Sequence, residues 1–239
     1  MTMDDILLEI ARRFPLERPL LVQHGQTKKR HEYPCGHGET VYLRGVRPNE
    51  VYLENDTATY EEQRAAVLAI QRYLGPEHCL VAWSGHKSFH ISFFFDPGTL
   101  PSLDGIDTDL VDVLKVVRLF LFRKIPEVAG VGIGYDPSNV NWHMAKTGHM
   151  VRWVGSIKPD AKPGTTPFTF INGPIPESRP TASRAAEEPA RVPGLWCIPQ
   201  VLWGPIREEW EKEQARCADS NRWIDALYAS LPDTEAVTA

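Results

Sequence analysis

Strand-like and helix-like patterns alternate along this chain, with hairpin-like strands interspersed, and together they predict an α+β fold built on a mixed sheet. Two observations carry that prediction. Short apolar runs rich in Val, Leu, Tyr and Phe recur through the first 172 residues, and amphipathic stretches of helical period separate several of them. A change of composition after residue 172 then divides the chain.

Residues 3–14 read as an amphipathic helix that Pro15 stops. Strands are expected near Leu20–Gln23, Thr40–Arg44 and Glu50–Glu54. Thr57 or Thr59 supplies an N-cap for a helix from about Tyr60 to Leu74, ended by Gly75-Pro76. Strands follow at 79–83 and 90–95, then a turn at Asp96-Pro97-Gly98. Asp107 to Lys124 carries Leu110, Val113, Leu114, Val117 and Leu121 along one side of a long helix. Ala129–Tyr135 reads as a short strand. Trp142–Lys146 and His149–Val154 read as a hairpin, and Pro167–Ile171 as a further strand.

From Gly173 to Gly194, five prolines with mixed charge indicate a linker or extended arm. Helical pattern returns from Leu195 to Leu231. Its tryptophans, Trp203, Trp210 and Trp223, are expected to pack back onto the main domain. The organisation read from the chain is therefore 1–172, 173–194 and 195–239.

Bulk properties exclude several classes. The 239 residues, 42% of them apolar, suffice for one large domain with a small appendage. No apolar run is long enough for a membrane helix, so no membrane partner is expected. Cysteines at 35, 79, 197 and 217 form no CxxC pair, and the acidic N-terminus lacks a signal pattern; the expectation is a reducing, cytoplasmic setting. A net charge of −5 argues against wholesale coating of nucleic acid but leaves room for a local basic groove. Lys28-Lys29-Arg30-His31 is the tight basic cluster. It reads either as a solvated loop or as a phosphate-tracking element for nucleic acid.

Two segments carry chemistry. Val51-Tyr52-Leu53 is an apolar strand that runs into Glu54-Asn55-Asp56. Strand residues i and i+2 share a face, so Glu54 and Asp56 can serve one metal ion if strand geometry persists to its end. About thirty residues later, Leu80–Trp83 runs into Ser84-Gly85-His86-Lys87-Ser88-Phe89-His90. A Ser-Gly turn followed by Lys and His offers N–H groups and cationic side chains to an anion. Carboxylates for metal beside donors for phosphate are the parts nucleotidyl transfer needs. His86 and His90 also have the spacing of zinc proteases. Lys87 stands where the glutamate should be, and the context is turn-to-strand, so that reading is set aside.

A third segment, Ile133-Gly134-Tyr135-Asp136 followed by Arg152-Trp153-Val154-Gly155-Ser156-Ile157-Lys158, completes an order. Glu54-x-Asp56, then Ser84-Gly85-x-Lys87-x-Phe89-His90, then Asp136 and Arg152 resembles the archaeo-eukaryotic primase superfamily, the primase-polymerases, over roughly residues 40–172. Two departures stand out. Glu54 occupies a position where Asp is common, and Lys146-Thr147-Gly148 precedes Arg152 where many relatives carry Lys-Thr-Gly after the Gly-Ser.

The resemblance implies an α/β module packed on a module like an RNA-recognition fold, with the cleft between them and a C-terminal helical tail outside. It implies that Glu54, Asp56 and Asp136 hold two divalent ions, Mg²⁺ or Mn²⁺, for which clustered carboxylate oxygens are suitable ligands. It implies that His90 and Ser84 bind the incoming nucleoside triphosphate, with Lys87, Arg152, Ser156 and Lys158 as further phosphate candidates. Template and primer would be the polymeric partners, with Lys28, Lys29 and Arg30 as contacts. There is no GxxxxGK[ST] motif, so unwinding would fall to another protein. The alternatives carried forward are a catalytically weak primase-like module that binds single strands or nucleotides, and a repair polymerase serving a ligase in trans. His31, Cys35 and His37 offer a poorer, zinc-like set; structural zinc takes four ligands with more thiolates, so a plain loop is expected there.

Overall fold

The computed structural model describes residues 3–12, 20–24, 30–34, 41–100, 110–137, 150–157, 165–171, 173–180 and 193–229. They form two four-stranded sheets with four helices, an α+β arrangement. The first sheet has the order β2-β1-β3-β7, from Arg30–Tyr33, Leu20–His24, Val41–Gly45 and Met150–Arg152. The second has the order β4-β6-β5-β8, from Glu50–Glu54, Phe89–Phe94, Cys79–Trp83 and Thr169–Phe170. Every strand pair in both sheets is antiparallel, where a mixed sheet was expected. Among the described residues, Phe95 and Trp196 form a parallel bridge.

The strand period of two decides what each face of the second sheet does. Val51, Leu53, Val81, Trp83, Phe89, Ile91 and Phe93 point to one side, into the main core. There they meet α2 (Tyr60–Leu74), α3 (Leu110–Val128) and the start of α4 (Trp203–Ala229). Leu80, Ala82, Phe168 and Phe170 point to the other side and share a second core with the first sheet and α1 (Met3–Arg12). On β4 and β6 that same side carries Glu50, Tyr52, Glu54, His90 and Ser92, with Phe94 at its far end in the second core. Glu54 and His90 therefore face the space between the two sheets, not an outer surface.

One ion pair joins the sheets there. Arg44 of β3 meets Glu50 of β4 with a bidentate fork, Nη1 to Oε2 at 2.8 Å and Nη2 to Oε1 at 2.6 Å. Glu50 is 0% exposed and Arg44 2%. The Ser92 hydroxyl and the Arg47 N–H, at 3.0 Å, also donate to the Glu50 carboxylate.

α2 starts where expected. Thr59 is its N-cap in a reciprocal capping box with Glu62, and Gly75 at φ 91° ends it. Three expectations need correction. Arg30 and His31 lie in strand β2, not in a loop; each of its four residues pairs with β1. Ala129–Tyr135 makes no strand: glycines at 130, 132 and 134 leave alternate positions without a side chain to pack. α3 runs past Lys124 to Val128, with Pro126 in its last turn. Of the expected linker or arm, residues 173–180 pack on the core: Ile175 is buried in it, and Tyr60 Oη and Arg64 Nε donate to the Pro176 carbonyl at 3.0 and 2.8 Å. The tail shares the main core, since Trp196, Ile206 and Trp210 are buried in it and Trp203 packs against it. The Trp223 side chain and the expected Trp142–Lys146 strand lie outside what is described.

Candidate active site

The site begins at the open end of the β4–β6 pair. The antiparallel register sets Glu54 directly opposite His90. Their side chains share the inter-sheet face, and Glu54 Oε2 lies 3.5 Å from His90 Nδ1. The imidazole is 3% exposed and held at both nitrogens. Tyr52 Oη lies 2.5 Å from Nδ1 and Ser88 Oγ 3.2 Å from Nε2. Burial, and after it the negative charge of Glu54, raises the Tyr52 phenol well above its ordinary range, with Arg44 offsetting part. A phenol that keeps its proton can donate to His90 Nδ1 and so hold the ring in place.

The strand geometry on which a shared Glu54–Asp56 face depended does not persist. β4 ends at Glu54. Asn55 then forms an Asx turn, its Oδ1 accepting from Thr57 N at 2.8 Å and Ala58 N at 2.6 Å. Asp56 consequently leaves the strand face. Its carboxylate meets the Lys87 ammonium at 2.8 Å, with side chains 36% and 46% exposed. The third acid is brought in by the backbone: Asp136 N–H donates to the Glu54 carbonyl at 2.9 Å, and Asn55 Nδ2 donates to the Gly134 carbonyl at 2.5 Å. Segments some eighty residues apart are thus stitched together at the end of β4. Among the described residues, no three His, Cys, Asp or Glu side chains close on one point as metal ligands would.

The Ser-Gly turn is built for closure. Ser84 Oγ accepts from Lys87 N at 3.2 Å and Ser88 N at 2.9 Å, so its lone pairs serve the turn itself. Gly85 is at φ +86°, and its carbonyl accepts from Thr166 N at 3.0 Å. A β-carbon at Gly85 would stand 1.8 Å from the Thr166 carbonyl oxygen. Gly85→Ala is therefore expected to destabilise the protein by well over the ~1–2 kcal/mol of left-handed strain alone, because backbone must also move. Urea titration of the variant checks this; a midpoint within error of wild type would contradict it.

Arg152, on β7 of the first sheet, lines the same small inter-sheet cavity as His90, with Arg44, Tyr52, Ser92 and Phe168 among its other walls. Its guanidinium lies over the Phe168 ring at 5.2 Å. His90, Glu54, Asp136 and Arg152 therefore form one continuous neighbourhood, flanked by the Asp56–Lys87 pair. Ser156 does not line this cavity, but its backbone is hydrogen-bonded to two of its walls, Trp153 at 3.1 Å and Phe168 at 2.9 Å; it is buried, and among the described residues its hydroxyl has no hydrogen-bond partner. Lys158, Lys28, Lys29, Cys35 and His37 lie outside the described residues. Arg30 is exposed on β2, the edge strand of the first sheet. His31 packs edge-on against His24 at 5.8 Å between ring centres.

Sequence reasoning missed three residues that shape this site. Tyr52 read as one more apolar strand residue. Arg44 and Gln63 carried no motif at all, and only the tertiary fold shows what they touch. Comparison with protein-family models, with curated proteins and with solved structures finds no match to this chain. Among the described residues no helix is long and apolar enough to cross a membrane.

Proposed function

We propose that this chain is a template-directed nucleotidyltransferase of the primase-polymerase type, joining nucleoside triphosphates on nucleic acid. The observation that carries the reading is the meeting of three distant segments. Glu54 faces His90 across a strand pair, Asp136 is hydrogen-bonded to the Glu54 backbone, and Arg152 shares a cavity with His90. Acidic groups for a cation and basic groups for a polyphosphate are then side by side, which is the arrangement phosphoryl chemistry uses.

The donor set fits a hard divalent cation such as Mg²⁺ or Mn²⁺. Three acidic residues lie on segments that meet at the end of β4, and one of them, Asp56, already holds a cationic group, the Lys87 ammonium. Glu54, Asp56 and Asp136 would hold the ions, and Asp56 must leave Lys87 to do so. Bound divalent ions supply charge stabilisation for the attacking and leaving oxygens. The chain's own residues do the rest. Arg152, propped on Phe168, offers a cationic group to the triphosphate, and His90 would exchange the Tyr52 or Ser88 bond at one ring nitrogen for a phosphate oxygen. Lys87, freed from Asp56, has the reach of a flexible ammonium for the same phosphates. Lys158 and Ser156 remain secondary phosphate candidates. Arg30 with Lys28 and Lys29 is the candidate contact for the template backbone.

His90→Ala should weaken nucleoside triphosphate binding about tenfold or more, the scale of a lost hydrogen bond to a charged group, while template affinity stays unchanged. Isothermal titration with nucleotide, and anisotropy with labelled single strand, separate the two. Equal nucleotide affinity in variant and wild type would remove His90 from the site.

One observation favours the second reading, a catalytically weak binding module: the carboxylate side chains do not converge as they stand. The two readings part on one result. The module would bind nucleotide or single strand and incorporate nothing in either Mg²⁺ or Mn²⁺.

A further inference from the structure

Two loops carry the chemistry proposed above, and a third element touches both. The carboxylate loop, 55–58, is closed on itself by the Asn55 side chain. The histidine loop, 84–88, is closed on itself by the Ser84 hydroxyl. The β4–β6 pairing holds the inner ends of the two loops, at Glu54 and His90, opposite each other, but neither closure ties the outer part of one loop to the other. The exposed Lys87–Asp56 pair spans the gap, but ion pairs so open to water contribute little.

Gln63, in the first turns of α2, spans it too, and it is 3% exposed. Its Nε2 donates to the Ala58 carbonyl at 2.8 Å and to the Lys87 carbonyl at 3.0 Å. Its Oε1 accepts from the Phe89 N–H at 2.9 Å. Two carbonyls face the amide nitrogen and one N–H faces the amide oxygen, so a flipped amide would lose all three bonds. Both donors of this primary amide are used. Ala58 closes the turn that carries Asp56, Lys87 precedes Ser88, and Phe89 precedes His90.

We infer that Gln63 is a positioning residue whose amide sets the separation and relative orientation of the carboxylate loop and the histidine loop. The geometric part stands on these contacts alone; its consequence for turnover rests on the proposed function. A loosened joint would leave each loop able to bind its own ligand. It would degrade the alignment between them, on which the rate of a two-site reaction depends.

The test pairs two substitutions in the full chain. Gln63→Met keeps the volume and removes all three bonds. Gln63→Glu keeps an acceptor for Phe89 but turns a donor into an acceptor against two carbonyls. Residue-resolved amide hydrogen exchange is read at Thr57, Ala58, Lys87, Ser88 and Phe89, with Val81 of β5 as the reference for the core. In Gln63→Met the amides of both loops should exchange about tenfold faster or more, while Val81 is unchanged. In Gln63→Glu, Phe89 should stay protected while Thr57 and Ala58 speed up, an asymmetry that general loss of stability does not produce. Unchanged exchange in both loops, or an equal rise at Val81 in both variants, overturns the inference. In the incorporation assay, kcat should fall about tenfold or more with the nucleotide KM within about threefold. A KM rise with unchanged kcat also overturns it. Wild type that incorporates nothing would sink the proposed function and leave the exchange result to decide the role of Gln63.

Discussion

Asp136→Ala should abolish nucleotide incorporation and leave the fold standing. The bond that brings Asp136 to the site is its backbone N–H to the Glu54 carbonyl, which alanine retains. The side chain is exposed, so its loss removes little packing. A surface change of this kind shifts stability by roughly 0.5 kcal/mol or less. Residues that only orient metal ligands cost about 10–100-fold when removed, so a ligand should cost more. Asp56→Ala should behave alike, with the added loss of the weak pair to Lys87. Rates of labelled nucleotide incorporation, set beside melting temperatures, check both parts. Retained activity in Asp136→Ala would exclude it from the reaction, and a collapse of stability would recast it as a structural acid.

The second large effect lies beneath the site. Glu50→Ala should cost about 3–5 kcal/mol, because it removes the acid that is paired with the buried Arg44 guanidinium among the described residues. Replacing both, with Arg44→Met and Glu50→Leu together, should recover most of that loss, since a pair is costly to break and cheap to exchange for packing. The two singles and the double form a cycle in urea. Additive losses would show that the two residues act independently. The same pair predicts a pH dependence. Burial pushes the Glu50 carboxyl up, but the charge and hydrogen bonds of Arg44, the Ser92 hydroxyl and the Arg47 N–H outweigh it, and its pKa lies below the ordinary value. A carboxyl lowered on folding contributes stability that is complete above its unfolded pKa and lost as pH falls through the folded one. Wild type should therefore lose stability on acidification through and below the usual carboxylate range, and the double variant less steeply.

Strands β4 and β5 were legible to the residue, because each is an apolar run bounded by local signals: Glu54 before a turn, Gly75-Pro76 and Ser84-Gly85 around the other. The capping box at Thr59 fixed the start of α2 in the same local way. What the chain did not show depends on neighbours. β2 is polar, Arg-His-Glu-Tyr, and counts as a strand only because β1 pairs with it at the sheet edge. Residues 131–137 run beside the end of β4, held there by two bonds, without the ladder that would make them a strand. Within the site, residue types and their order were readable, as was the meeting of Glu54, His90 and Arg152. The departure of Asp56 from the strand face was not, because Asn55 reads as an ordinary polar residue until its side chain is seen closing the turn. Gln63 was silent for the same reason: its partners are backbone groups contributed by two loops.

The central claim is that these residues join nucleotides on a template. Its most direct test is incorporation of labelled nucleotide by the wild-type chain on single-stranded template, with and without primer. The assay compares deoxynucleotides with ribonucleotides, in Mg²⁺ and in Mn²⁺. Template-dependent products are expected, and they should vanish with chelator and in Asp136→Ala. A folded wild-type chain that binds nucleotide or single strand and yields no product under any of these conditions would contradict the claim.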